Sequence, residues 1–214
     1  MMLQLLKKDF LLTGKYVLLA AAICVFYPVF VLWQLEDTLP AQAGTIGFLL
    51  MTFFSILFVL LQAFQKEAMY PKSAAFLCAL PYSRRDLVLE KYMFFLIIYL
   101  GCCLIYRCET LLIPALGSFG FSEASLMCAA VSLILGLYLP VHYRFGYENT
   151  KYFFLFAIMI TCFCVPMLVK YLPSSWLALP AGPLFPLTLF LTSGLFLAVS
   201  ASLAIHFYQK VDLT

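Results

Sequence analysis

Residues 80–114 read LPYSRRDLVLEKYMFFLIIYLGCCLIYRCETLLIP, and the contrast between the two parts of this stretch decides the fold. The first part places five charged residues, Arg84, Arg85, Asp86, Glu90 and Lys91, within eight positions. From Tyr92 to Pro114 the only charged residues are Arg107 and Glu109. About 20 apolar residues in a helix cross roughly 30 Å of hydrocarbon, a layer in which charged groups are costly. The junction at Lys91 and Tyr92 therefore reads as a membrane boundary. The charges before it face water, lipid headgroups or another protein.

The rest of the chain repeats the pattern. Of its 214 residues 65% are hydrophobic and 11% charged, less than half of the roughly 25% charged residues usual in soluble domains. The fold expected is an all-α membrane protein, a single transmembrane domain over 1–214 with six transmembrane helices at 16–33, 45–64, 92–114, 124–141, 152–169 and 183–207. Pro28 is expected to kink the first span. The apolar run continues through Trp33, too long for a signal-peptide core, so an uncleaved first span is the reading.

Orientation follows from Lys and Arg near the span ends. Lys7, Lys8, Lys15, Lys66, Lys72, Arg84, Arg85, Lys91, Arg144, Lys151 and Lys210 fall on one side, and Lys170 on the other. The expectation is a multi-pass protein of the cell membrane with both termini cytoplasmic. The long cytoplasmic loop is then 65–91, and 142–151 is a shorter charged one. Before the first span, MMLQLLKKDFLLTGKY can form an N-terminal interfacial helix, with Leu3, Leu6 and Phe10 on one side and Lys7 and Lys8 on another.

Several chemistries lack their residues. No GxxxxGK[ST] phosphate cradle is present, so the chain does not hydrolyse ATP alone, and neither GxSxG nor HExxH occurs. The chain reads as no enzyme. Cys162 and Cys164 point about 200° apart on a helix, a poor metal clamp, and the eight cysteines read as apolar filler with no metal site. His142 and His206 read as solvated residues at span ends. No nucleic-acid partner is expected.

Arg107 and Glu109 are the polar pair inside a span, and a separation of two residues turns them about 200° apart, too far to pair well on one helix. Pairing across subunits, a cavity lining and snorkelling at the outer boundary all fit them.

In the charged segment, Pro81, Ser83 and Asp86 form a capping-box-like start, Ser83 accepting an orphan backbone N–H and Asp86 suiting the positive end of the helix dipole. A short helix should begin near Arg84. Val88, Leu89 and Tyr92 share its apolar sector, Asp86 and Glu90 make an acidic stripe, and Arg84 and Lys91 a basic one. The acidic stripe is expected to face a partner.

These residues resemble the membrane subunits of ABC-2-type transporters, in particular small six-span bacterial permeases without their own nucleotide-binding domain. The likeness rests on LLKKDF, LPYSRRDLVLEKY, PVHYRFGYENTKY and HFYQKVDL, with Leu80, Pro81, Ser83, Arg84, Lys91 and Tyr92 at one motif and Phe145, Gly146 and Glu148 at another. The resemblance implies two permease chains, a homodimer or a pair of close paralogues, in the lipid bilayer. It also implies a separate ABC ATPase subunit that binds ATP and Mg, with no cofactor in this chain. By that resemblance the ATPase-coupling residues are Pro81, Ser83, Arg84, Arg85, Asp86, Leu87, Glu90 and Lys91, and a second cytoplasmic contact is formed by Phe145, Gly146, Tyr147, Glu148 and Lys151. The function implied is export of an amphipathic or hydrophobic substrate such as a peptide, toxin or antibiotic. An ion-coupled secondary carrier and a non-transporting membrane scaffold or immunity protein are the alternatives.

Overall fold

A computed structural model describes residues 2–35, 40–69, 83–117, 119–171 and 184–210, with backbone alone at 2, 3, 34, 35, 40–43, 153, 154, 157–171 and 210. The described residues form α1 (Met2–Leu35), α2 (Pro40–Met69), α3 (Arg84–Leu112), a 3-10 turn (Pro114–Leu116), α4 (Phe121–Tyr171) and α5 (Leu184–Lys210). α1 packs mainly on α2 and α4 mainly on α5, while α3 touches all four. The core runs along α2 and α3, through Phe48, Met51, Leu57, Phe64, Phe94 and Phe95. α1 and α5 expose long apolar faces, including Leu18, Phe26 and Trp33 on one and Leu191, Leu195 and Val199 on the other.

Five of the six expected spans coincide with helices long and apolar enough to cross a membrane. The sixth expectation, 152–169, falls on helical backbone whose side chains mostly lie outside the described residues. The segment that joins the expected spans 152–169 and 183–207, with Trp176, also lies largely outside them.

The helices are longer than expected, and this corrects three readings. The N-terminal segment is no separate interfacial helix: α1 runs unbroken from Met2 through Pro28, because its buried residues Asp9, Thr13, Ala20 and Cys24 keep one face against the bundle. The charged stretch is no separate short coupling helix either, since α3 starts at Arg84 and continues into the apolar run. α2 reaches Met69, so the connection expected over 65–91 shrinks to the residues between Met69 and Arg84.

The connection expected at 142–151 is also helical except at one residue. Gly146 has φ 77° and ψ 170°, and the chain turns there between two parts of α4. A side chain at that φ would meet its own backbone, so glycine is what permits the bend. Thr150 Oγ1 donates to the Gly146 carbonyl at 2.6 Å and Asn149 Nδ2 to that of Phe145 at 3.2 Å, satisfying acceptors freed by the turn.

Glycine also sets the α4–α5 approach. A Cβ on Gly136 would lie 2.3 Å from Cε1 of Phe196. Beside it Ser200 Oγ donates to the Gly136 carbonyl at 2.8 Å and meets Tyr92 Oη at 2.7 Å, joining α3, α4 and α5 through one hydroxyl. Such polar links hold helices together where apolar packing against lipid supplies little preference.

Candidate coupling site at the basic end

The first turn of α3 forms as its residues dictate. Ser83 is extended, and its Oγ accepts the Asp86 N–H at 3.1 Å. Asp86 lies in the first turn, where the helix dipole favours an anion. Pro81, expected to open this segment, lies outside the described residues. Arg85 and Ser83 are exposed, Arg84 and Asp86 half-buried and Leu87 buried. Arg84 Nη1 donates to the carbonyls of Tyr208 at 3.3 Å and Gln209 at 3.1 Å. A guanidinium there satisfies orphan carbonyls of α5 and meets the negative end of its dipole.

One turn further in, the structure departs from the expected stripes. Glu90 is 1% exposed and Lys91 4%, so the acidic stripe does not present Glu90 to a partner, nor does Lys91 lie on an open basic stripe. Lys91 Nζ donates to Asp9 Oδ2 at 2.6 Å and to Glu67 Oε1 at 2.5 Å. Lys8 Nζ stands 3.1 Å from Asp9 Oδ1 and 3.8 Å from Glu67 Oε1. Glu90 is packed beside this group with its carboxylate against that of Asp9, and no donor among the described residues reaches its oxygens. Two lysines and two carboxylates thus pin α1, α2 and α3 at one point. A buried ammonium is tolerable only when paired and hydrogen-bonded in this way.

α4 closes the same end. His142 is not a solvated boundary residue: its ring centroid lies 3.9 Å from that of Phe64 and 5.6 Å from that of Tyr138, with Nδ1 buried. His206, by contrast, is exposed. Tyr143 packs 5.0 Å from Tyr208 of α5. At the bend Phe145, Gly146 and Glu148 are exposed and Tyr147 is half-buried. Lys151 pairs with Glu148 and lies 4.9 Å from the Tyr152 ring centroid. Arg144 stacks 5.3 Å over Phe145 and 5.5 Å over Phe207. The start of α3, the bend of α4 and the last turn of α5 therefore share one charged end of the bundle.

Asp9 and Glu67 are the site residues that sequence reasoning missed. For Asp9 a signal was present on α1: Asp9, Thr13, Ala20, Cys24 and Val31 recur at offsets of four and seven, a stripe on one helical face.

At the opposite end Arg107 and Glu109 separate as their spacing requires. Arg107 is exposed and donates to the Phe119 carbonyl at 2.7 Å. Glu109 is 7% exposed, and neither carboxylate oxygen has a hydrogen-bond partner among the described residues. Among those residues no group of three or more His, Cys, Asp or Glu could hold a metal. Cys24 Sγ lies 3.0 Å from Ser55 Oγ and 3.6 Å from Cys102 Sγ, with both thiols free. Cys78 lies outside the described residues, as do the side chains of Cys162 and Cys164.

No curated protein and no solved structure matches the chain. A family model described as ABC-2 family transporter protein matches residues 4–209. That match takes in every described helix and both charged segments of the basic end, and the chain accordingly belongs to the ABC-2 transporter family, as a multi-pass membrane protein.

Proposed function

We propose that the chain is the membrane subunit of an ATP-driven exporter, pairing with a second permease chain and with a separate ABC ATPase at its basic, cytoplasmic end. The exported substrate is amphipathic or hydrophobic, of the class of peptides, toxins and antibiotics. Among known ABC-2 permeases an ATPase partner is the rule, and this chain has no phosphate-binding loop of its own.

The observation that carries the reading is the continuity of α3. Residues able to meet a partner, Ser83, Arg85 and Asp86, sit on the same rigid helix as Lys91, whose two carboxylate partners lie on α1 and α2. A push on the first turn is therefore delivered to three helices together. ATP binding moves this element only if the ATPase holds it more tightly in one state than in the other, since equal contacts shift nothing. Phe145 and Glu148 at the α4 bend supply the second contact.

Co-purification with candidate ATPase subunits tests the reading. The comparison is between wild type and a variant carrying Arg85→Glu and Asp86→Lys, which reverses exposed or half-buried charges and leaves the Lys91 network intact. A bound ATPase that the variant sheds supports docking at this turn. An ATPase held equally by both removes the assignment. Transport in liposomes on a proton gradient alone, with no ATPase recovered, replaces the exporter with an ion-coupled carrier.

A further inference from the structure

Where α1, α2 and α3 meet, the joint built on Lys91 sets two ammonium groups, Lys8 and Lys91, against three carboxyl groups, Asp9, Glu67 and Glu90. With every group ionised the cluster carries one surplus negative charge, although Asp9 and Glu90 are each 1% exposed. Lys91 satisfies Asp9 Oδ2 and Glu67 Oε1, and this leaves Asp9 Oδ1 and both oxygens of Glu90 without a hydrogen bond among the described residues. Two carboxylates in contact do not both ionise cheaply, and a buried charge without a donor is costlier still. The remaining groups around Glu90 bring no further cation among the described residues. Tyr143 of α4 offers a hydroxyl, Tyr208 of α5 packs on Tyr143, and burial beside the Lys91 ammonium keeps His142 neutral. Glu90 and His142 both lie outside the spans expected at 92–114 and 124–141.

We propose that Glu90 keeps a proton at neutral pH and donates it to Asp9 Oδ1, so that the joint is a neutral set of two ammonium groups, two carboxylates and one carboxylic acid, and that the joint loosens when this proton leaves. One proton cancels the surplus charge and supplies the donor that Asp9 Oδ1 lacks. Burial, opposed by Lys91 and reinforced by the Asp9 carboxylate, pushes the Glu90 carboxyl up to about 8. Above that value the proton passes to hydroxide, and Glu90 stands ionised against Asp9. The repulsion then falls on the contact between α1 and α3 that Lys91 and Asp9 hold together. Mild alkalinity is in this way read by the helix that the exporter reading makes the coupling element, and only this transport consequence rests on that reading.

The test is infrared spectroscopy of the full-length protein in detergent, following the carbonyl stretch of carboxylic acids as the pH is raised, together with thermal unfolding. Glu90→Gln keeps the shape and a donor but has no proton to lose. Wild type should show a carboxylic-acid band at neutral pH that fades around a pH of about 8 and that Glu90→Gln lacks. Because the folded state holds this proton more tightly than the unfolded chain, its stabilisation is full below the ordinary glutamate value of 4.5 and is lost as the pH rises through about 8. Across that window the folded-to-unfolded ratio of wild type, relative to Glu90→Gln, should fall about tenfold per pH unit and then level off. Asp9→Asn, which leaves Glu67 on Lys91, should move the fading of the band to lower pH and serves also if Glu90→Gln does not fold. The same carboxylic-acid band in wild type and Glu90→Gln overturns the proposal. A stability difference that stays flat across the window does so too, as does a band that Asp9→Asn leaves unmoved. The assay uses no ATPase: a silent Glu90 beside a co-purifying ATPase sinks only the proton, and a titrating Glu90 without an ATPase sinks only the exporter.

Discussion

The two ends of α3 carry the same kind of burden and resolve it differently. Lys91 and Glu109 are 18 residues apart, five helical turns, and so occupy the same azimuth about 27 Å apart. At the basic end the charge on this line is met by Asp9 and Glu67, with Lys8 alongside. At the opposite end Glu109 meets no donor among the described residues. A satisfied buried pair fixes three helices in one arrangement, and this is what the opposite end lacks; Glu90 beside the pair, like Glu109, receives no donor among the described residues.

Lys91→Met is the sharpest way to break this comparison. It leaves Asp9 buried with Lys8 as its remaining cation and Glu90 beside it, and should cost about 3–5 kcal/mol, read as a fall in the unfolding midpoint in detergent. Adding Asp9→Leu should restore part of the loss, and a double-mutant cycle without coupling would dissolve the joint. The mirror experiment is Glu109→Met, which removes both orphan acceptors and should stabilise the isolated protein by about 1–3 kcal/mol. A loss of similar size to that of Lys91→Met would mean that the two ends are alike.

Gly146→Ala probes the bend that brings α4 to the basic end, and should cost about 1–2 kcal/mol for placing a Cβ at φ 77°. Its signature beyond stability is weaker ATPase retention, since Phe145 and Glu148 flank the bend. The smallest effect belongs to Ser83→Ala, which removes the cap on the Asp86 N–H and should cost about 1 kcal/mol. Fraying confined to the first turn of α3, seen as faster amide exchange at Asp86 and Leu87 with Lys91 unaffected, would show that the joint begins beyond the cap.

Much of this architecture can be read from residues close in sequence. Apolar runs mark the spans because hydrocarbon excludes charge over a fixed thickness, and Ser83 marks the start of α3 because an orphan N–H three residues on needs an acceptor. The Arg107–Glu109 separation follows from helical geometry alone. The burial of Glu90 and Lys91 could not be read that way. Each follows three exposed or half-buried charges, and only partners 82 and 24 residues away, Asp9 and Glu67, make it possible to bury the lysine. For the same reason His142 looked like a boundary residue until Phe64 and Tyr138 enclosed it.

The sequence by itself determined a helical membrane protein with its positive charge gathered on one side and a capped helix start at Ser83. Those properties depend on hydropathy, local geometry and near neighbours. Only the tertiary structure decided that the charged segment and its span are one rod, that Lys91 is locked to α1 and α2, and that Glu109 is buried with no donor among the described residues. Helices pack through faces assembled from distant parts of the chain, so which charges are met and which are left open is a property of the assembled bundle.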